Sequence, residues 1–374
     1  MDKRSFSFFR KNRNFPKQDA GTGRHTILVL FIISLLFFLL VRFIPFRKGD
    51  ALTEDMFQAS EIMEEAMAAL RECQREGGLH LDTENDPNQT GLIGFESSPL
   101  TTTIGNLEAK RTTTNPNFAA LVVYLLQEAG VERGDTVAVG ASSSFPALIV
   151  AVLSAAKAMD LHPLMINSLG ASQWGANLMD FHWLDMLNCL LKSGIFDFQP
   201  IALSLGGEKD KGEDMSSEGR TFLREEIDKS GFPFIDDSDL RVNVKARMRL
   251  YEKNAGANKI KAFINIGGSW ANMGTDAEVL ELKPGLVRIR QLPSLENRGV
   301  IFEMASRKIP VIHLLFVRGL VERYGLSWDP VPLPSPGKER LFQRAREKQP
   351  LFLWLSVIYL SLVVFIFVFR NKLR

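Results

Sequence analysis

The chain has 374 residues and is close to neutral, with 45 Lys and Arg against 43 Asp and Glu. A folded nucleic-acid binder carries a basic excess, so this balance excludes that class and no nucleic acid is expected as a partner. Two cysteines, Cys73 and Cys189, define no disulfide framework; buried thiols and a single bridge both fit them.

The charge is unevenly spread. Residues 1–25 form a basic tail, with Lys3, Arg4, Arg10, Lys11, Arg13, Lys17 and Arg24 against Asp2 and Asp19. Thr26 to Val41 is then uncharged and rich in Leu, Ile and Phe. It reaches the roughly 17–20 residues of a spanning helix by recruiting Phe43 and Ile44 past a snorkelling Arg42, which makes 26–44 a transmembrane helix. No small-residue cleavage site follows, so an uncleaved anchor is favoured over a signal peptide. A second uncharged run, Leu351 to Phe369, gives a transmembrane helix over 350–369. The basic tail places the N-terminus in the cytoplasm, and two spans return Arg370, Lys372 and Arg374 of the 370–374 tail to that side. The expected location is the cell inner (cytoplasmic) membrane, with the main domain facing outward. Lys338, Arg340, Arg344, Arg346 and Lys348, just before the second span, run against that orientation.

Between the spans the pattern changes. Thr53 suits a helix N-cap, and Met56, Ile62, Met63, Met67, Leu70 and Cys73 recur at helical spacing until Gly77 and Gly78, as a core face does. Asp82 to Thr90 reads as a loop. Thr114 or Asn115 caps a helix opening at Pro116 and closed by Gly130. Val137 to Val139 is a buried strand, Gly140 to Ser144 a run of small residues, and Ala147 to Ala158 an apolar helix behind Pro146. Further strands are expected at Pro163–Ile166, Ile201–Leu205, Lys259–Ile266 and Val311–Phe316. Helices are expected around Phe181 to Leu190, over Ser216–Lys229 and Leu240–Tyr251, and ending near Lys308. Strands alternating with helices predict an α/β domain over 50–329, a largely parallel sheet with helices on both faces. It is flanked by the N-terminal and C-terminal transmembrane helices. Pro330 to Pro336 reads as a stiff spacer, within a linker over 330–349.

Small-residue turns follow Val139, Ile166, Leu205 and Ile266. In a doubly wound sheet such turns share one edge, so these four are expected to converge on one crevice. Thr102, Lys110, Arg111, Ser142, Ser143, Ser144, Ser172, Gln173, Asn177, Gly267, Gly268 and Ser269 are the candidate ligand-binding residues. They offer hydroxyls, amides, cations and open backbone N–H groups to an anion. Gly140 to Pro146 also resembles a nucleophile elbow, with Ser142 at the nucleophile place and Ser144 where the closing Gly belongs. Among the five histidines, His162 and His182 are the base candidates. His182 shares a helix face with Asp185 at i and i+3, and Asp180 is close by. For each His a hydrogen-bonded structural role is the favoured reading. No GxGxxG, GxxxxGK[ST] or HExxH occurs, so neither a cofactor nor a metal is expected.

Glu96 to Thr103, Lys110 to Phe118, Gly140 to Leu148, Ser168 to Asn177, Trp183 to Asp185 and Phe263 to Ser269 together resemble the poly-gamma-glutamate system protein family. The run Ser168 to Asn177 is the most specific part, and Ser143 stands where a Gly is expected. The resemblance implies work beside the membrane synthase and exporter of an anionic polymer with one free carboxylate per unit; it carries over no catalytic residue. Two functions follow as expectations. One is an accessory protein of biosynthesis or export that binds poly-gamma-glutamate or its synthase and export subunits. The other is a hydrolase or transferase of gamma-glutamyl amide bonds, with Ser142 or Ser144 as nucleophile, His162 or His182 as base, and Asp185 or Asp180 orienting the base.

Overall fold

The structure is a computed structural model describing residues 20–43, 47–80, 82–289, 291–347 and 350–369, with side chains at 27–39, 51–80, 82–289, 291–346 and 355–368. It divides into two units, one made of the two chain ends and one spanning Lys48–Glu347. In chain order, α1 (Ala20–Phe43) precedes α2 (Arg47–Glu76), α3 (Leu107–Thr113) and α4 (Asn117–Glu128). Next come β1 (Thr136–Ser142), α5 (Pro146–Ala158) and β2 (His162–Ser168). A small hairpin, β3 (Asn177–Leu178) with β4 (Phe181–His182), leads into α6 (Trp183–Lys192) and β5 (Pro200–Ser204). Then follow α7 (Ser217–Ser230), β6 (Phe234–Ile235), α8 (Leu240–Ala255), β7 (Ile260–Ile266) and the short α9 (Trp270–Met273). The chain continues through β8 (Gly285–Val287), α10 (Val300–Ser306), β9 (Val311–Leu314), α11 (Val317–Tyr324), α12 (Arg340–Glu347) and α13 (Pro350–Phe369).

Seven strands form one sheet in the order β6-β5-β2-β1-β7-β9-β8, parallel except for β8 on β9. Alternation along each strand divides the apolar residues between two cores. Val137, Val139 and Ala141 of β1 face a core shared with α2, α4, α5 and α6, while Ala138 faces one shared with α8 and α10. That is the expected α/β architecture with helices on both faces. Pro146 stands at the first position of α5, where its missing N–H removes no helical bond. Successive strands run outward from β1 through β2 to β6, then resume on its other side with β7. The reversal point between β1 and β7 is where an open α/β sheet leaves a crevice at its carboxyl edge.

Several boundaries differ from the pattern. α2 begins at Arg47 rather than at the Thr53 cap. α4 begins one residue after Pro116, and the Asn115 side chain accepts from the Asn117 N–H at 3.0 Å. β6, β8 and the hairpin are too short to leave an apolar run in the sequence. The stiff spacer at Pro330–Pro336 is instead packed onto the domain. Asn117 donates to the Pro334 and Ser335 carbonyls and accepts from the Gly337 N–H at 3.0 Å, and Glu339 accepts from Asn115 and from the Ser327 N–H. Leu341, Phe342 and Ala345 of α12 lie in the core. A Pro-rich composition reports stiffness; it does not report the buried side chains of the helix that follows.

Cys73 on α2 and Cys189 on α6 form a disulfide across 116 residues of sequence. Closing so long a loop in the unfolded chain is worth roughly 5 kcal/mol in chain entropy. Reduction with the fold otherwise intact is therefore expected to lower the unfolding midpoint clearly in calorimetry, and Cys73→Ser should unfold at the same point as the reduced protein.

The other unit pairs α1 with α13. Ser34 Oγ and Tyr359 OH are 2.8 Å apart, and Phe37 stacks on Tyr359 with ring centroids 4.4 Å apart. Among the described residues no helix is long and apolar enough to cross a membrane. That finding lends no support to the spans expected at 26–44 and 350–369. The basic tails at 1–19 and 370–374 lie outside the described residues.

Candidate functional site

The four small-residue turns do converge. Ser142, Ser144 and Phe145 at the end of β1, Ser168, Gly170 and Ser172 at the end of β2, Gly206 and Gly207 after β5, and Gly268 to Trp270 after β7 line one cleft of about 720 Å³. Thr102 and Lys110 close it from the segment around α3, and Glu208 and Asp214 stand on the β5 side.

The turn after β1 is held by its own hydroxyls. Ser142 Oγ donates to Ser144 Oγ at 3.0 Å, and Ser144 Oγ also accepts the Ser172 N–H at 2.9 Å, tying the first loop to the second. Ser142 lies in the last position of β1, and neither it nor Ser143 or Ser144 has a positive φ, so the strained turn of a nucleophile elbow is absent. Gly267 takes a positive φ of 75°, and a Cβ there would stand 3.1 Å from Ser142 Cβ; only Gly lets the β1 and β7 ends approach so closely. Gly175 has a similar role, since a Cβ would meet the Ser143 and Ser144 carbonyls at 3.0 Å.

Lys110 enters this framework from α3 with 3 % of its surface exposed. Its Nζ donates to Ser172 Oγ at 2.7 Å and to the Ser144 carbonyl, and lies 3.8 Å from the centre of the Phe145 ring. Burial pushes its pKa down from 10.5 to about 7, and no charged group counters the shift. Among the described residues no carboxylate forms an ion pair with it. A buried ammonium without a counter-ion is unfavourable, so the group is poised either to take an anion or to lose its proton.

A second polar chain runs beneath the floor. Ser269 Oγ is 3.3 Å from Ser168 Oγ, which is 3.0 Å from Ser204 Oγ, and Ser204 Oγ donates to Asp210 at 2.9 Å. Asp210 and Arg247, both fully buried, form an ion pair of 2.6 Å to which Asn243 adds a bond to each partner. This pair fixes the loop after β5 through a 3.2 Å bond from the Gly206 N–H to Asp210.

The remaining sequence candidates fall elsewhere. Arg111 is outside the cleft, in a two-pronged ion pair with Asp329. Ser143 is fully buried and bonds the Ser168 carbonyl and Asn167. Gln173 accepts from the Gly105 N–H, and Asn177 clamps both polar groups of Phe95 and the Thr101 hydroxyl. These residues hold the loops that line the cleft without lining it. His162 opens β2 at the opposite edge of the sheet, about 20 Å along the strand from Ser168. His182 caps α6, its Nδ1 accepting from the Leu184 N–H at 3.1 Å, and Asp185 accepts the His182 N–H in return. Burial pushes His182 down, partly offset by Asp185 and Glu226, and burial pushes Asp185 up. Among the described residues no histidine lines the cleft, so the expected serine–histidine arrangement is not assembled. Trp270 lines the cleft beside Gly268 and Ser269, as its place after a strand suggests, whereas Phe145, Ser168, Glu208 and Asp214 were not singled out as ligand-binding residues from the sequence. Ser168 and Phe145 lie at strand ends and could have been, whereas Glu208 and Asp214 lie in a charged run that looks like any solvated loop.

Comparison of the chain with protein-family models, with curated proteins and with solved structures finds no match.

Proposed function

We propose that this is a membrane-anchored accessory protein of poly-gamma-glutamate biosynthesis or export, whose switch-point cleft binds a gamma-glutamyl segment of the polymer. The observation that carries the reading is Lys110, a buried cation at the wall of a hydroxyl-rich cleft with no carboxylate of its own. A gamma-glutamyl unit brings the missing carboxylate, together with an amide N–H and carbonyl. Ser142, Ser144, Ser168 and Ser269 offer hydroxyls to those groups, and Glu208 and Asp214 on the far side accept from N–H donors. The resemblance around Ser168 to Asn177 and Lys110 to Phe118 points to the same polymer.

Anchoring belongs to the same proposal. α1 and α13 carry exposed large apolar side chains, among them Ile27, Phe31, Leu36, Val357, Phe365 and Val368, on runs of uncharged sequence. Helices of that composition suit lipid contact, with the basic tails in the cytoplasm. The Cys73–Cys189 disulfide suits an oxidising compartment, hence a domain facing outward from the inner membrane.

Binding should depend on pH with a defined sign. The ligand carboxylate pairs with protonated Lys110, so affinity is highest below about pH 7 and falls as the pH rises through that value. The loss approaches about tenfold per pH unit while ligand uptake brings one proton with it. Calorimetric titration of a gamma-linked glutamate oligomer at pH 6 and pH 8.5 measures this. An affinity that does not change, or a ligand whose carboxylates can be esterified without loss, would remove the reading.

A further inference from the structure

The hydroxyl nearest the Lys110 amine belongs to Ser172, at 2.7 Å, and Ser172 lines the cleft that Lys110 closes. We propose that Lys110 and Ser172 form a serine–lysine dyad that cleaves gamma-glutamyl amide bonds, with Ser172 as nucleophile and Lys110 as its general base. The choice of substrate rests on the reading that the cleft takes a gamma-glutamyl chain; the dyad itself does not.

The surroundings suit the assignment. The Lys110 amine is anchored by the Ser144 carbonyl and packed over the Phe145 ring, so its position relative to Ser172 is set by groups on the β1 turn. Burial lowers its pKa to about 7, which makes the neutral amine available where ordinary lysines are fully charged. The Ser172 backbone is pinned in turn, since its N–H donates to Ser144 Oγ. Ser144 Oγ accepts from both Ser172 and Ser142, and its own proton is left to donate into the cleft, where a developing oxyanion would sit. The histidine that the sequence reading required is thus replaced by a lysine on a different loop.

The chemistry closes without any other reagent than water. The neutral Lys110 amine takes the Ser172 hydroxyl proton while Oγ attacks the amide carbonyl carbon and forms a C–O bond. The tetrahedral intermediate collapses, the C–N bond breaks, and Lys110 returns the proton to the departing nitrogen. An acyl ester on Ser172 and a free amine remain. Water then attacks the ester carbonyl, its proton passing to Lys110. Cleavage of the ester C–O bond releases a carboxylic acid, which ionises, and Ser172 Oγ recovers the proton.

One lysine serves two protonation states, and this gives the dyad a signature that a structural lysine lacks. Its charged form holds a carboxylate, and its neutral form takes the proton from Ser172. As the pH rises, KM is therefore expected to climb from about 7, where the free chain loses the Lys110 proton, and kcat to climb at a higher pH, because a bound carboxylate holds that proton on.

The test uses the full-length chain in detergent or nanodiscs, a fluorophosphonate probe for the nucleophile, and gamma-linked glutamate oligomer for cleavage, read as released amine. The expected results are a probe adduct on Ser172 by mass spectrometry, at a rate rising through pH 7, and slow cleavage lost in Ser172→Ala. Lys110→Arg removes the base, so labelling and cleavage should fall roughly 100-fold or more. Labelling of the wild-type chain needs no variant to fold. Absence of a Ser172 adduct at pH 8, from a chain that binds the oligomer, overturns the dyad and leaves the binding reading standing. A Ser172 adduct on a chain that does not bind the oligomer keeps the dyad and removes the gamma-glutamyl substrate.

Discussion

Lys110→Met is expected to abolish oligomer binding and, at pH 6, to leave the protein as stable as the wild type or more so. The two effects come from one cause. The wild-type chain buries an ammonium with no carboxylate beside it, at a cost that an apolar side chain of similar length does not incur. Against that stands the loss of two hydrogen bonds and the contact with Phe145. A neutral Ser172 and a carbonyl left beside the cleft can turn to water, so these losses are the smaller part. The pH dependence separates this account from a simple packing effect. The unfolded chain holds the lysine proton up to about its ordinary pKa of 10.5, the folded chain only to about 7. Between those values the unfolded state binds more protons, so wild-type stability should rise with pH across that window, and the full penalty should apply below it. In Lys110→Met that rise should be missing. Urea titrations of both chains at pH 6, 7.5 and 9 measure it; parallel curves would mean that Lys110 is not a desolvated cation.

Arg247→Met is expected to cost about 3–5 kcal/mol, a large part of what a domain of this kind has. Arg247 and Asp210 are each fully buried, and the carboxylate would keep only Ser204, Asn243 and the Gly206 N–H as partners. A charge left without its counter-ion in the interior is far worse than the loss of the pair as a whole. The double variant Arg247→Met with Asp210→Leu should therefore recover much of the loss. The effect should reach the cleft as well. Asp210 holds the Gly206 N–H, and Gly206, Gly207 and Glu208 form one wall of the cleft. Oligomer affinity should thus fall in Arg247→Met even under conditions where the chain remains folded, while Arg111→Met, which breaks a mostly buried pair with Asp329 away from the cleft, should leave it unchanged. Equilibrium unfolding and binding on the same three variants check the contrast. A loss under about 1 kcal/mol for Arg247→Met would show that water reaches the pair.

What the chain says by itself is mostly periodic. Apolar strands separated by amphipathic helices announce a parallel sheet, because strands buried on both faces must be apolar throughout. Small residues after four of them place the turns, and parallel strands put those turns on one edge. The cleft was legible for that reason, and Lys110 and the Ser142 to Ser144 turn were legible with it. Tertiary structure alone decided which of the nominated side chains face the cleft. Arg111 adjoins Lys110 in sequence yet turns to Asp329, because neighbours on a helix point about 100° apart. His182 satisfies an orphan N–H of α6, and Asn177 clamps a loop; neither local pattern distinguishes such a role from catalysis. The pairing of Lys110 with Ser172 and of Asp210 with Arg247 joins residues far apart in the chain. A sequence read through local spacing carries no sign of which distant groups will share a dry interior, and it is that shared burial which lowers the Lys110 pKa in the first pair and makes either half of the second costly to remove alone.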